Sequence, residues 1–193
     1  MGPLALKREE RFTYGDYLTW DDDERWELID GVAYDMSPAP SAAHQSILMD
    51  LGKQFAVYLT GKRCKIFPAS FDVRLSETDE PDDQVETVVQ PDLSIICDKM
   101  KVDTAGCRGA PDLVVEILSP ATARKDLTVK FARYERAGVR EYWIVDPDDK
   151  TVHIFILGTD GRYGAHQFYR EGDTVIVGIF PDLEIDLAAV FAE

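Results

Sequence analysis

Glu116 interrupts the apolar run "LVVEIL" at residues 113–118. If that run is a strand, Asp112, Val114, Glu116 and Leu118 point to one face, and Leu113, Val115, Ile117 and Ser119 to the other. An ionised carboxylate among Val and Leu side chains is costly unless a cation or hydrogen-bond donors meet it. Asp92, in "VVQPDLSII", opens a second apolar run. Two adjacent strands that each present a carboxylate make a hard oxygen site suited to Mg2+ or Mn2+. Such a cation activates water and neutralises charge on a phosphodiester. Asp112 shares the face of Glu116 but lies four residues away, about 13 Å at about 3.3 Å per residue, so Asp92 is the better partner. Further on, Asp126, Lys130 and Tyr134 fall on one helical stripe at four-residue spacing. An ammonium group near the scissile phosphate stabilises the transition state. The plainer alternatives are an internal ion pair of Glu116 with Arg124 or Arg133, and an ordinary Asp126–Lys130 salt bridge.

These side chains need strands and a helix to hold them. "FTYGDYLTW" reads as a short helix opening after Thr13. "RWELIDGVAYDMSP" alternates around Asp30-Gly31, a hairpin signal. From Ser41, apolar residues at Ile47, Leu48, Leu51, Phe55 and Leu59 have the spacing of an amphipathic helix, with Gly61 as its stop. "CKIFPASFDVRL" predicts one or two strands, "SETDEPDDQVE" an acidic loop, and "TVVQPDLSIIC" and "PDLVVEIL" one strand each. A helix from about Ala121 to Ala137 ends at Gly138. "REYWIVDP" and "TVHIFIL" pair across the Asp148–Lys150 turn, and short strands with a last half-turn finish the chain. The order implies an α/β or α+β domain, with helices covering a mixed sheet. His44 is expected to support the first turn of the long helix, Gln90 to be a residue leading into a strand, and Asp146 to end one at a turn. His153 and His166 show no ligand spacing.

The chain has 193 residues, 45% of them hydrophobic, which suits one domain over 1–193 with a sizeable core. No run approaches the roughly 20 apolar residues of a membrane span, and "MGPLALKREE" lacks the apolar core of a signal peptide. Cys64, Cys97 and Cys107 have no CxxC spacing and are expected to be reduced thiols in a cytoplasmic protein. The net charge of −15 gives no electrostatic support to DNA binding. One basic island softens this: six Lys and Arg against three acids between Pro120 and Tyr142, directly after Glu116.

Asp92 followed by a second strand carrying Glu116 resembles the PD-(D/E)xK nucleases, whose fold is restriction-endonuclease-like. More closely, "PDLVVEILSPAT…KDLTVKFARYERAGVREYWIVDP", with the upstream "WELIDG" and the helix containing His44, resembles the Uma-two family of restriction endonucleases from about Phe12 to Val190. The resemblance implies an α/β restriction-endonuclease-like fold, with a central mixed sheet flanked by helices and a core over about 12–190. It also implies hydrolytic cleavage of DNA at a Mg2+ or Mn2+ site. Asp92 matches the first motif acid and Glu116 the second. The residue two after Glu116 should be lysine and is Leu118; Lys130 matches a lysine moved to the following helix. Glu27 matches an early glutamate near the metal, the alternative being a solvent-facing hairpin residue.

Three functions compete at this point. A metal-dependent DNA endonuclease uses Asp92 and Glu116 as ligands, Lys130 at the phosphate and Glu27 in support. A catalytically weak or inactive nuclease-fold module binds without cutting, motivated by the acidic charge and Leu118. An oligomeric scaffold uses Glu116 only in an internal arginine pair. A two-fold homodimer is the default assembly for the first two.

Overall fold

Asp30 and Gly31 both take left-handed backbone conformations (φ 52° and 72°), as a tight two-residue hairpin turn requires. They join the strands that carry Glu27. The computed structural model describes residues 11–21, 24–36, 39–76, 80–120 and 123–192. Glu77 and Asp79 of the expected acidic loop, Ala121 at the expected helix start and the Arg124 side chain lie outside the description, as does the N-terminal decapeptide.

In chain order, α1 (Tyr14–Tyr17) precedes β1 (Trp26–Ile29) and β2 (Val32–Asp35), and α2 (Ala42–Leu59) follows. Then come β3 (Lys65–Pro68), β4 (Val73–Arg74), β5 (Val88–Val89), β6 (Leu93–Ile96), β7 (Val102–Asp103), β8 (Gly106–Arg108) and β9 (Leu113–Ile117). Next are α3 (Ala123–Lys125), a π-helical turn (Asp126–Lys130) and α4 (Phe131–Ala137), which run on as one helix. The chain closes with β10 (Glu141–Asp146), β11 (Thr151–Ile156), β12 (Gln167–Arg170), β13 (Thr174–Ile176), β14 (Glu184–Asp186) and α5 (Leu187–Val190). Local signals account for most boundaries. Thr13 forms a reciprocal capping box with Asp16 at α1, Ser41 caps α2, and Gly138 ends α4 at φ 87°.

The strands form two six-stranded sheets and a small β13–β14 pair. The first sheet runs β2-β1-β5-β4-β8-β7 and the second β12-β11-β10-β9-β6-β3. Both are mixed, with β4–β8 and β9–β10 parallel and the other pairs antiparallel. The expectation of one central sheet therefore resolves into two. "TVVQPDLSIIC" is not one strand: Gln90-Pro91-Asp92 breaks it, sending β5 into the first sheet and β6 into the second. Proline has no N–H to give to a ladder, so a break there is the physical outcome.

Two cores lie against opposite faces of the second sheet. On one, Leu93, Ile95, Leu113, Val115, Ile117, Trp143 and Val145 pack with Leu51 and Phe55 of α2. On the other, Ile96, Val114, Tyr142 and Ile144 pack with Tyr134, with Val139 and with Ile29, Val73 and Val89 of the first sheet. Strand alternation puts Glu116 on this second face. The same rule turns Glu27 toward it, because Trp26 and Leu28 face a third cluster with Tyr14 and Val88.

One expectation is overturned. Cys64 and Cys97 form a disulfide, and only Cys107 is free, buried. The cysteines border β3 and β6, whose register pairs Lys65 with Ile96, so the next positions outward face each other across two strands. A separation of 33 residues hides such cross-strand proximity from any spacing rule.

Candidate active site

The register of β6 and β9 sets Leu93 opposite Val115, and Asp92 and Glu116 each lie one residue beyond that pair, at the same end of the two strands. Asp92 Oδ2 accepts the Ile117 N–H (2.7 Å) and lies 3.2 Å from His44 Nε2. Glu116 Oε1 accepts from Lys130 Nζ (2.9 Å) and Tyr134 Oη (2.6 Å). Among the described residues, the bonds of Asp92 thus fall on Oδ2 and those of Glu116 on Oε1. Their other oxygens, Asp92 Oδ1 and Glu116 Oε2, remain available to a cation.

Lys130 is the hub. Its Nζ lies 2.8 Å from Glu27 Oε1, 2.9 Å from Glu116 Oε1 and 3.4 Å from Asp126 Oδ1. A second lysine, Lys125, reaches Glu27 Oε2 at 2.5 Å. In a regular α-helix, residues five apart lie about 140° from each other around the axis. The π-helical turn over Asp126–Lys130 widens the coil, so that Lys125 and Lys130 meet one carboxylate. Tyr142 Oη donates to the Asp126 carbonyl at the start of this turn (3.1 Å). Such single wide turns concentrate at functional sites.

Electrostatics divides the two glutamates. At Glu27 burial opposes ionisation, but two ammonium groups overcome it and hold the carboxyl down at about 2. At Glu116 burial dominates. Lys130 works against it, while Asp126, Asp92 and Glu27 add to it, and the pKa is pushed up to about 8. Glu27 is thus an anion clamped between lysines. Without a cation, burial favours the protonated form of Glu116.

The four site residues proposed from the sequence come to one place. Asp92, Glu116, Lys130 and Glu27 all line a cavity of about 710 Å3 between the sheets. Of the two arginine alternatives for Glu116, Arg133 pairs with Asp30 instead and the Arg124 side chain lies outside the described residues; the cation seen at Glu116 is Lys130. The Asp126–Lys130 salt bridge exists, but buried. Glu27 is fully buried, which excludes the solvent-facing alternative. His44 does more than support a helix turn, since it holds Asp92. Gln90 does more than lead into a strand. Its N–H donates to Glu27 Oε1 (3.0 Å) and its Nε2 to Asp72 Oδ1 (2.8 Å). Lys125 and Arg25 went unseen in the sequence, because neither lies on the apolar or four-residue stripes. For Lys125 the one available signal was the basic character of the helix; for Arg25 there was none.

A divalent cation fits these residues in part. Two carboxylate oxygens face the cavity, and seven acidic residues line it against three Lys and Arg, so the walls attract cations. Mg2+ is commonly held by one or two carboxylates plus water and substrate phosphate. No group of three or more His, Cys, Asp and Glu stands ready for a metal among the described residues. Any cation here therefore relies on solvent and substrate for its remaining ligands.

Comparison with known proteins bears on this arrangement. The Uma2 family model, described as "Putative restriction endonuclease", matches residues 14–188. The uncharacterized protein slr1290 of Synechocystis sp. is 28% identical over 151 residues, covering 77% of this chain and 75% of that protein. A crystal structure of a "putative nuclease belonging to DUF820" from Anabaena variabilis superposes with a TM-score of 0.73 at 18% identity, covering 94% of this chain and 98% of the other. At that identity the likeness speaks for the fold, a nuclease-like one. Since the family model spans nearly the whole chain, the protein belongs to the Uma2 family.

Proposed function

We propose that this protein is a metal-dependent endonuclease that hydrolyses phosphodiester bonds in DNA, with Asp92 and Glu116 as cation ligands. The observation that carries this reading is that Asp92 and Glu116, one residue beyond the last paired positions of two adjacent strands, both line one acid-lined cavity. When bound, Mg2+ or Mn2+ supplies the positive charge that neutralises a phosphodiester and favours deprotonation of an attacking water. The chain's own residues do the positioning. His44 and the Ile117 N–H hold one oxygen of Asp92, which turns the other outward. Lys130 and Tyr134 do the same for Glu116. Glu27 acts through the lysines, fixing Lys130 against Glu116. Lys130 takes the part of the motif lysine that Leu118 displaces, from a neighbouring helix rather than from the same strand.

The test is cleavage of supercoiled plasmid DNA in Mn2+ or Mg2+. The wild type nicks it, and Glu116→Ala and Asp92→Asn each reduce the rate by about 100-fold or more, in line with the several kcal/mol a catalytic cation supplies. Cleavage at full rate by Glu116→Ala would trace the activity to a contaminant and end this reading. A weak or inactive binding module is the second reading. It is favoured by Lys130 being engaged by three carboxylates, which leaves less of its charge for a substrate.

A further inference from the structure

Three of the four basic groups lining the cavity are paired with acids. Lys125 is held by Glu27, Lys130 by Glu27, Glu116 and Asp126, and His44 by Asp92. Arg25 is different. Its Nε and Nη2 both donate to Gln90 Oε1, at 3.1 and 2.8 Å, and Nη2 also touches Met36 Sδ at 4.0 Å. Among the described residues no carboxylate lies within ion-pair distance of it. Its field reaches Asp72, where it opposes the rise that burial causes, but Gln90 stands between them.

Gln90 is itself a fixed mount. It is buried, its amide is anchored on Asp72, and Tyr14 Oη holds the other oxygen of Asp72 at 3.0 Å. The guanidinium is therefore oriented through one edge by a neutral acceptor. It keeps its full charge and retains donors at Nη1. An arginine presented this way is suited to the paired oxygens of a phosphate. The cavity otherwise repels a polyanion, so a substrate needs such a group.

We propose that Arg25 is a substrate-binding residue that grips a non-bridging phosphate oxygen of the nucleic-acid backbone, next to the phosphate attacked at Asp92 and Glu116. This assignment rests on the nuclease reading above and adds the residue that receives the substrate.

The experiment uses the full chain with a fluorescein-labelled 16-base-pair DNA duplex in Ca2+ for binding, and plasmid cleavage in Mn2+ for kinetics. Arg25→Gln is expected to raise KM about tenfold or more, as loss of a charge-assisted contact does, with kcat changed less than about threefold. The slope of log affinity against log salt falls by about 0.9, the signature of one lost phosphate contact. Arg25→Lys recovers the slope without recovering the full affinity. Mn2+ affinity is unchanged in both variants. Arg25→Gln with wild-type KM and slope overturns the assignment while leaving the nuclease reading intact. A fall in kcat and in Mn2+ affinity at unchanged KM also overturns it, assigning Arg25 to the support of Gln90 and Glu27. A wild type that neither binds nor cuts the duplex overturns the nuclease reading, and this assignment with it.

Discussion

Glu116 and Glu27 show how one lysine can face two carboxylates and leave them in different states. Lys130 contacts both, but Glu27 has Lys125 as well, whereas Glu116 has acids for its other charged neighbours. Burial, with Asp126, Asp92 and Glu27 nearby, pushes the Glu116 pKa up from its ordinary 4.5 to about 8 in the folded chain, against the pull of Lys130. As pH rises, the unfolded chain gives up that proton first, so the stability this group contributes below about 4.5 is lost progressively up to about 8. In a chelator, thermal melts from pH 5 to 8 should therefore show Tm falling in the wild type. Glu116→Gln keeps the shape without the titration and should flatten that decline; an identical slope in the variant would mean that Glu116 is ionised throughout. Glu116 was legible in the sequence because a carboxylate inside an apolar strand is expensive. Its cation was legible too, through the stripe of Asp126, Lys130 and Tyr134. Lys125 and Arg25 were not, because their roles come from partners on other elements.

Two elements decide how those residues meet. Pro91 ends one strand and starts another in a different sheet, which brings Asp92 to the mouth of the cavity opposite Glu116. The π-helical turn over Asp126–Lys130 turns two lysines five apart toward one glutamate. The sequence announced the helix through its stripe and its closing Gly138, but a wide turn adds a single residue of offset that periodicity cannot resolve. The hairpin at Asp30-Gly31 was plain from its turn chemistry. The Cys64–Cys97 disulfide was not, because cross-strand neighbours are set by register rather than by spacing. This bond ties β3, the edge strand, to β6, the strand that follows Asp92. Closing a loop of 33 residues constrains the unfolded chain by about 3–4 kcal/mol. Urea unfolding with and without reductant should differ by about that amount, and Cys64→Ser should match the reduced wild type and ignore reductant. Equal stability in both conditions would show that the bond does not constrain the chain in solution.

At the scale of the whole molecule, the site is a product of two sheets closing on each other. The first sheet supplies Glu27, the second Asp92 and Glu116, the intervening helix Lys125 and Lys130, and the long helix His44. No helix among the described residues is long and apolar enough to cross a membrane. The net charge of −15 and the acid-lined cavity favour cations over polyanions; in the proposed reading a polyanion follows through the cation and Arg25. Of the fold, the coarse order of helices and strands and the α/β class were readable from periodicity and turns, while the short strands β7 and β8 went unread. The division into two sheets was not readable, since it depends on which strands find each other. In the proposed reading, Asp92 and Glu116 together hold a divalent cation. Soaking crystals in MnCl2 and collecting anomalous diffraction tests it most directly. One strong anomalous peak is expected within bonding distance of the Asp92 and Glu116 carboxylates, absent in Glu116→Ala. No peak there at millimolar Mn2+, with Lys130 still bridging Glu27 and Glu116, would contradict it.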